Sequence, residues 1–277
     1  MSKESWFRVI VIAVGVLTTG LLFFANKTNL ETAGEVLLRS NSPTSVTSAE
    51  GQLPPLAPEP RLNAWIDSLN ITKGSKKIRI LDSIIVNLQA RKRFAYAADY
   101  ADQLVGLDSS LNNLLLAGVL NQEALSLPYV QQDTTLRRTY AQRSIRYLEQ
   151  VTQEEPSNER ALLALGLAYI QSGNPQMSMQ GIMTIRKILE INPDNVEASF
   201  QLGIFSVQTG QFERAVQRFE RVLELDPDNF AAMFELANAQ YQLGNTERAK
   251  SLLQSVIQQT ADPNLRQAAN TLLNQLN

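Results

Sequence analysis

Leu202 recurs as Leu236, Gly210 as Gly244, Ala215 as Ala249 and Glu213-Arg214 as Glu247-Arg248, each at a spacing of 34 residues. A fixed period of that length marks stacked helical hairpins, because each hairpin leaves one apolar side uncovered until the next covers it. Small residues stand where two helices must approach closely: Gly166, Gly203 and Ala237 on first helices, and Gly181, Ala215 and Ala249 on second ones. The connecting turns agree. "EPSN" at Glu155, "NPDN" at Asn192, "DPDN" at Asp226 and "DPN" at Asp262 combine Pro with an Asp or Asn cap, which ends one helix and opens the next. Asp226 and Asp228 have the spacing of a calcium loop, but the glycine and later acidic ligands that such a loop needs do not follow, so the segment reads as a turn.

The positions that carry the period resemble the tetratricopeptide repeat family, whose pattern is a Leu-Gly pair and a Tyr in the first helix, a small residue and an aromatic in the second, and a Pro opening the next unit. Leu165-Gly166 with Tyr169, Leu202-Gly203, Ala215 with Phe219 and Pro227, and Leu236-Ala237 with Ala249 carry the resemblance. It implies an all-α fold, a right-handed α-solenoid of about five hairpins, with units near 75–109, 110–156, 157–194, 195–228 and 229–262 and a capping helix at 263–277. The first two units are irregular. Arg93–Ser110 overlays Gln211–Asp228 without a gap, placing Phe94 on Phe212 and Ala97 on Ala215, whereas the second unit carries extra residues around "SLPYVQQD". The third is lengthened by three residues, since Gly173 to Gly210 is 37.

The family mostly binds proteins or peptides in a concave face lined by first helices, and the resemblance implies the same here. Aligning the units puts Arg160, Leu163, Leu167, Ile170 and Gln171 on that face, then Glu197, Phe200, Ile204 and Gln208, then Phe234, Asn238, Tyr241 and Gln242. Family members that clamp a C-terminal carboxylate use lysine, arginine and asparagine at matching sites, and this chain has Leu163, Phe200 and Phe234 where a clamp lysine stands. An apolar groove suits an extended or helical peptide with hydrophobic anchors. The alternative is that Phe200, Ile204 and Phe234 simply pack against adjoining helices.

Upstream of the repeats, Val9–Ala25 is an uncharged apolar run. As a helix it covers about 26 Å, close to the ~30 Å of a bilayer core, with Trp6-Phe7 and Phe23-Phe24 at its edges. Bulky Phe23 stands where a cleavage site needs a small residue, which favours an uncleaved anchor over a signal peptide. Lys3 and Arg8 before the run favour a cytoplasmic N-terminus with the rest of the protein outside, in the periplasm if the source is bacterial. Residues 27–60 read as a tether: "NSPTSVTSAEGQLPPLAPEP" from Asn41 is rich in Ser, Thr and Pro with no helical stripe. The repeat domain then runs over 61–277. "RLNAWIDSLN" opens it with Leu62, Trp65, Ile66 and Leu69 at helical spacing, a stripe that packs as a cap or presents Trp65 for docking.

Composition removes most other readings. The 277 residues are 44% apolar, enough for a real core, and a formal charge of −2 gives no broad positive field for nucleic acid. Histidine and cysteine are absent, so the usual metal, haem and iron–sulfur ligands and the usual nucleophile–base pairs are missing, and no cofactor is expected. An enzyme built from carboxylates alone, such as a glycan hydrolase, would draw on Glu154, Glu155 and Glu220. The expected activity is that of a membrane-tethered scaffold for a protein or peptide partner. Self-association through the repeats, as a homo-oligomer, is the alternative.

Overall fold

The computed structural model describes residues 53–54 and 59–276, and the run Val9–Ala25 lies outside them. Among the described residues there are thirteen helices and no strand. They are α1 (Pro60–Ile71), α2 (Gly74–Ala90), α3 (Phe94–Val105), α4 (Leu111–Leu125), the short α5 (Pro128–Gln132), α6 (Thr134–Glu154) and α7 (Glu159–Gln171). There follow α8 (Pro175–Ile191), α9 (Val196–Gln208), α10 (Phe212–Leu225), α11 (Phe230–Gln242), α12 (Thr246–Gln259) and α13 (Pro263–Gln275). None of these is long and apolar enough to cross a membrane. The helices pair as α2/α3, α4/α6, α7/α8, α9/α10 and α11/α12. Two compact units result, one ending at Ala198 and one beginning at Ser199.

The Asn that ends each of the first three Pro-containing turns is the cap of the next helix, and in the fourth Asp262 is the cap. Asn158 Oδ1 accepts from Ala161 N at 2.9 Å, Asn195 Oδ1 from Ala198 N at 2.8 Å and Asn229 Oδ1 from Ala232 N at 3.0 Å. Each satisfies an amide that the helix itself leaves unpaired, worth about 1 kcal/mol. Within the α7/α8, α9/α10 and α11/α12 hairpins the reversal before the second helix uses a left-handed residue. Gly173, Gly210 and Gly244 supply it with φ of +78°, +71° and +84°.

In the first unit, α7 and α8 meet backbone to backbone. A Cβ on Gly181 would lie 2.4 Å from Gly166 O, and one on Gly166 would lie 2.5 Å from Ile185 Cγ1. Only glycine at both positions lets the helices approach this closely. In the second unit the same device recurs with an aromatic partner: Gly203 faces the Phe219 ring, whose Cε1 would be 2.6 Å from an added Cβ. Phe219 is fully buried, so its whole side chain contributes to the core.

Two boundaries differ from the sequence expectation. Pro60, assigned to the tether, opens α1, where its missing N–H costs nothing at the first helical position. Leu53, also assigned to the tether, packs against the first unit's core, and the Tyr96 hydroxyl donates to Pro54 O at 2.9 Å. Trp65 and Ile66 are half-buried on the same core, with Leu62 and Leu69 buried beneath them. The extra residues of the second repeat, 110–156, form α5, which buries Val130 and carries Gln131, whose amide donates to Leu125 O.

Candidate functional site

In the first unit, Arg160, Leu163, Leu167 and Gln171 follow one another along α7. Arg160 is exposed, and Leu163 and Leu167 are half-buried. Gln171 is already engaged: its Oε1 accepts from Gln122 Nε2 at 3.1 Å, and its Nε2 donates to Ser126 Oγ at 3.2 Å, so it joins α7 to α4. Ile170 leans toward α8, close to Gly181. Glu197 is exposed near the start of α9. A residue that the repeat alignment did not single out belongs with these. Burial raises the Glu123 carboxyl, while Arg160 lowers it and Glu197 raises it, so Glu123 on α4 shares a local field with both. The irregular second repeat, 110–156, has no alignment register, which is why its contribution was not legible.

In the second unit, Phe200 meets Phe219 edge-on, with centroids 5.7 Å apart and planes at 61°. Phe234 is part of the core with Leu253, Val256 and Leu265 and is only 7% exposed. These two rings serve chiefly as packing, and the surface open to a ligand is carried by Ile204, Gln208, Asn238, Tyr241 and Gln242. Tyr241, at 37% exposure, is the most open aromatic of the set.

Between Phe234 and Asn238 lies Glu235, which the sequence reading passed over because a glutamate on a helix is ordinarily a solvated surface charge. It is 7% exposed, its Oε2 is buried without a hydrogen-bond partner, and Asn238 lies beside the carboxylate and favours its charged form. Burial pushes its carboxyl up to about 7, against a smaller downward pull from Asn238.

The carboxylates that a hydrolase would need are placed otherwise. Glu154 and Glu155 are exposed at the end of α6, where Glu155 Oε2 accepts from Asn158 Nδ2 at 2.7 Å. Glu220 pairs with Arg248 at 2.7 Å on the outer surfaces of α10 and α12. A depression of about 510 Å³ at the α11–α12 turn is lined by Gln240, Gly244, Asn245, Thr246, Glu247 and Arg248 and includes none of the groove positions.

Comparison with known proteins agrees with this architecture. Two tetratricopeptide repeat profiles match, one over residues 206–272 and one over 184–217. A tetratricopeptide repeat protein from Parabacteroides merdae superposes with a TM-score of 0.57 at 16% identity, covering 78% of this chain and 80% of its own. A thermophilic one from Thermus thermophilus superposes with a TM-score of 0.55 at 15% identity, covering 71% of this chain and 99% of its own. No curated protein matches the sequence. Residues 184–272 thus match the tetratricopeptide repeat family, and the described helices share the fold of solved tetratricopeptide repeat proteins.

Proposed function

We propose that this protein is a membrane-tethered scaffold that binds a protein or peptide along its first helices and performs no catalysis. The observation that carries the reading is the division of labour within those helices. Each buries one stripe completely, as with Ala161, Leu165 and Ala168 on α7 or Ala232, Leu236 and Ala239 on α11. The same helices leave a second, mixed stripe partly open: Leu163 and Leu167 on α7, Ile204 on α9, and Asn238, Tyr241 and Gln242 on α11. Aliphatic and aromatic surface interleaved with amides suits a peptide that inserts apolar anchors and bonds its backbone to side-chain amides. The match of residues 184–272 to tetratricopeptide repeat profiles supports a binding role. The apolar run Val9–Ala25 supports attachment to a membrane, with the repeats outside the cytoplasm as the lysine and arginine bias suggests.

Photo-crosslinking side chains placed singly at Leu163 and Tyr241 of the full chain in intact cells test the reading. A discrete crosslinked partner at either site, absent when the same group replaces solvent-facing Arg186, is the expected result. Absence of a crosslinked species at both sites overturns it. A chain lacking residues 1–30, run alongside, should lose its membrane fractionation.

A further inference from the structure

The first unit carries an unbalanced cluster of cations at the end where the chain enters it. The Tyr96 hydroxyl holds Pro54 O at 2.9 Å, and Arg91 donates to Glu59, so the entering segment is fastened beside the turn between α2 and α3. That turn reads Arg91-Lys92-Arg93, with all three residues exposed, and Arg61 is exposed at the start of α1. Glu59 answers Arg91, whereas Lys92 and Arg93 make no ion pair among the described residues.

The backbone of this turn departs from the other repeats. In the gapless overlay of Arg93–Ser110 on Gln211–Asp228, Lys92 falls on Gly210, the left-handed turn position. Lys92 takes the same conformation, with φ +56°, and is the one residue other than glycine to do so among those described. A side chain there is disfavoured where glycine is free, so the chain holds a lysine at a position that its own later repeats give to glycine. A local rule broken without a packing gain points to work done by the side chain.

We infer that this corner rests on anionic lipid headgroups, an inference that builds on reading Val9–Ala25 as a membrane anchor. The occupant follows from where the chain leads: only the 27 residues 26–52 separate the apolar run from Leu53. A short tether keeps the basic corner at high local concentration over the headgroups, and each basic residue near such a surface strengthens docking roughly fivefold. The anchor keeps the protein at the membrane. The corner turns one face of the first unit toward the bilayer and leaves the first-helix surfaces available.

The chain has no cysteine, so Ala90→Cys, exposed at the end of α2, takes a single fluorophore in the full-length protein. The labelled chain is mixed with phosphatidylcholine vesicles, with or without phosphatidylglycerol, that carry a headgroup-attached quencher. Flotation reports the anchor and quenching reports the corner. The expected result is flotation with both vesicles and quenching only with the anionic ones, reversed by high salt. In K92G/R93Q docking weakens roughly thirtyfold while flotation persists. K92G relieves the left-handed lysine, so a misfolded turn does not account for that loss. K76Q/K77Q removes the same charge at the other end of α2 and should leave quenching intact.

Flotation without quenching overturns the corner and leaves the anchor standing. Equal losses in the two double variants overturn it too, since charge at any site would then suffice. Flotation and quenching with anionic vesicles alone support the corner and overturn the anchor. No flotation with either vesicle overturns both.

Discussion

The α9/α10 hairpin and the α4/α6 hairpin face the same packing problem and solve it with different chemistry. In α9/α10 a glycine lies under a ring: Gly203 gives Phe219 its space, and Phe200 closes the ring's edge. In α4/α6, Gly118 makes room for Leu148, but the contact is extended by polar groups. Ser144 Oγ donates to Gly118 O at 2.8 Å, and Arg143 reaches Asp99 at 2.8 Å and Asp102 at 2.9 Å on α3. Asn121 Nδ2 donates to Asp102 Oδ1 at 3.0 Å, and Tyr140 beside Asp99 and Tyr147 beside Asp102 favour the charged carboxylates. Where the repeat length is standard, shape alone defines how the helices mesh. Where α5 is inserted, directional bonds among α3, α4 and α6 define the register that the period no longer supplies.

The two solutions should fail differently. Phe219→Ala empties the space over Gly203 and is expected to cost about 3–5 kcal/mol, read as a lower urea midpoint of the second unit. Arg143→Met leaves two largely buried carboxylates facing each other and is expected to cost about 3 kcal/mol. Adding Asp99→Asn and Asp102→Asn to it should recover most of that loss, because the cost lies in the stranded charges. No such rescue is available to the aromatic contact. A triple variant as unstable as Arg143→Met alone would mean that the network matters for its shape and not its charge.

Acidity distinguishes the regions further. Desolvation raises the carboxyls of Asp99 and Asp102, with Arg143 acting against it, and pushes Glu235 up to about 7 from 4.5. In each case the folded state holds the proton more tightly than the unfolded chain. Stability is therefore greatest below the unfolded value and falls as pH rises toward the folded one. For Glu235 that window is about pH 4.5 to 7, and the difference across it is about 3 kcal/mol. Glu235→Gln should flatten this slope in urea titrations run from pH 4 to 8, and an unchanged slope would place the titration elsewhere.

The smallest expected effect is a gain. Lys92→Gly should stabilise the first unit by about 0.5–1 kcal/mol, because relief of the left-handed side chain outweighs the added freedom of glycine in the unfolded chain. Gly210→Lys, the reciprocal change in the second unit, should cost a similar amount in thermal unfolding. If Lys92→Gly is neutral or destabilising, the lysine side chain contributes packing that offsets its conformation.

The hairpins, their turns and the small residues at their crossings were legible in the sequence, because a period of 34 residues repeats each requirement and every repeat corroborates the others. Gly203 reads as a close crossing from its spacing to Leu202 and Ala215, and it is one. Roles that do not repeat were not legible. Nothing in the spacing distinguishes Phe234, packed among Leu253 and Leu265, from Tyr241, open to solvent, since both lie on the same helix at first-helix positions. Glu235 reads as a surface charge until neighbouring helices take away its water. The bonds among Asp99, Asp102, Asn121 and Arg143 join three helices across an insertion, so no local pattern encodes them. The sequence by itself determined which segments become helices and where they may touch, because those depend on periodicity and side-chain size. Burial, charge state and the open surface were decided only in the tertiary structure, because they depend on what distant helices exclude from solvent.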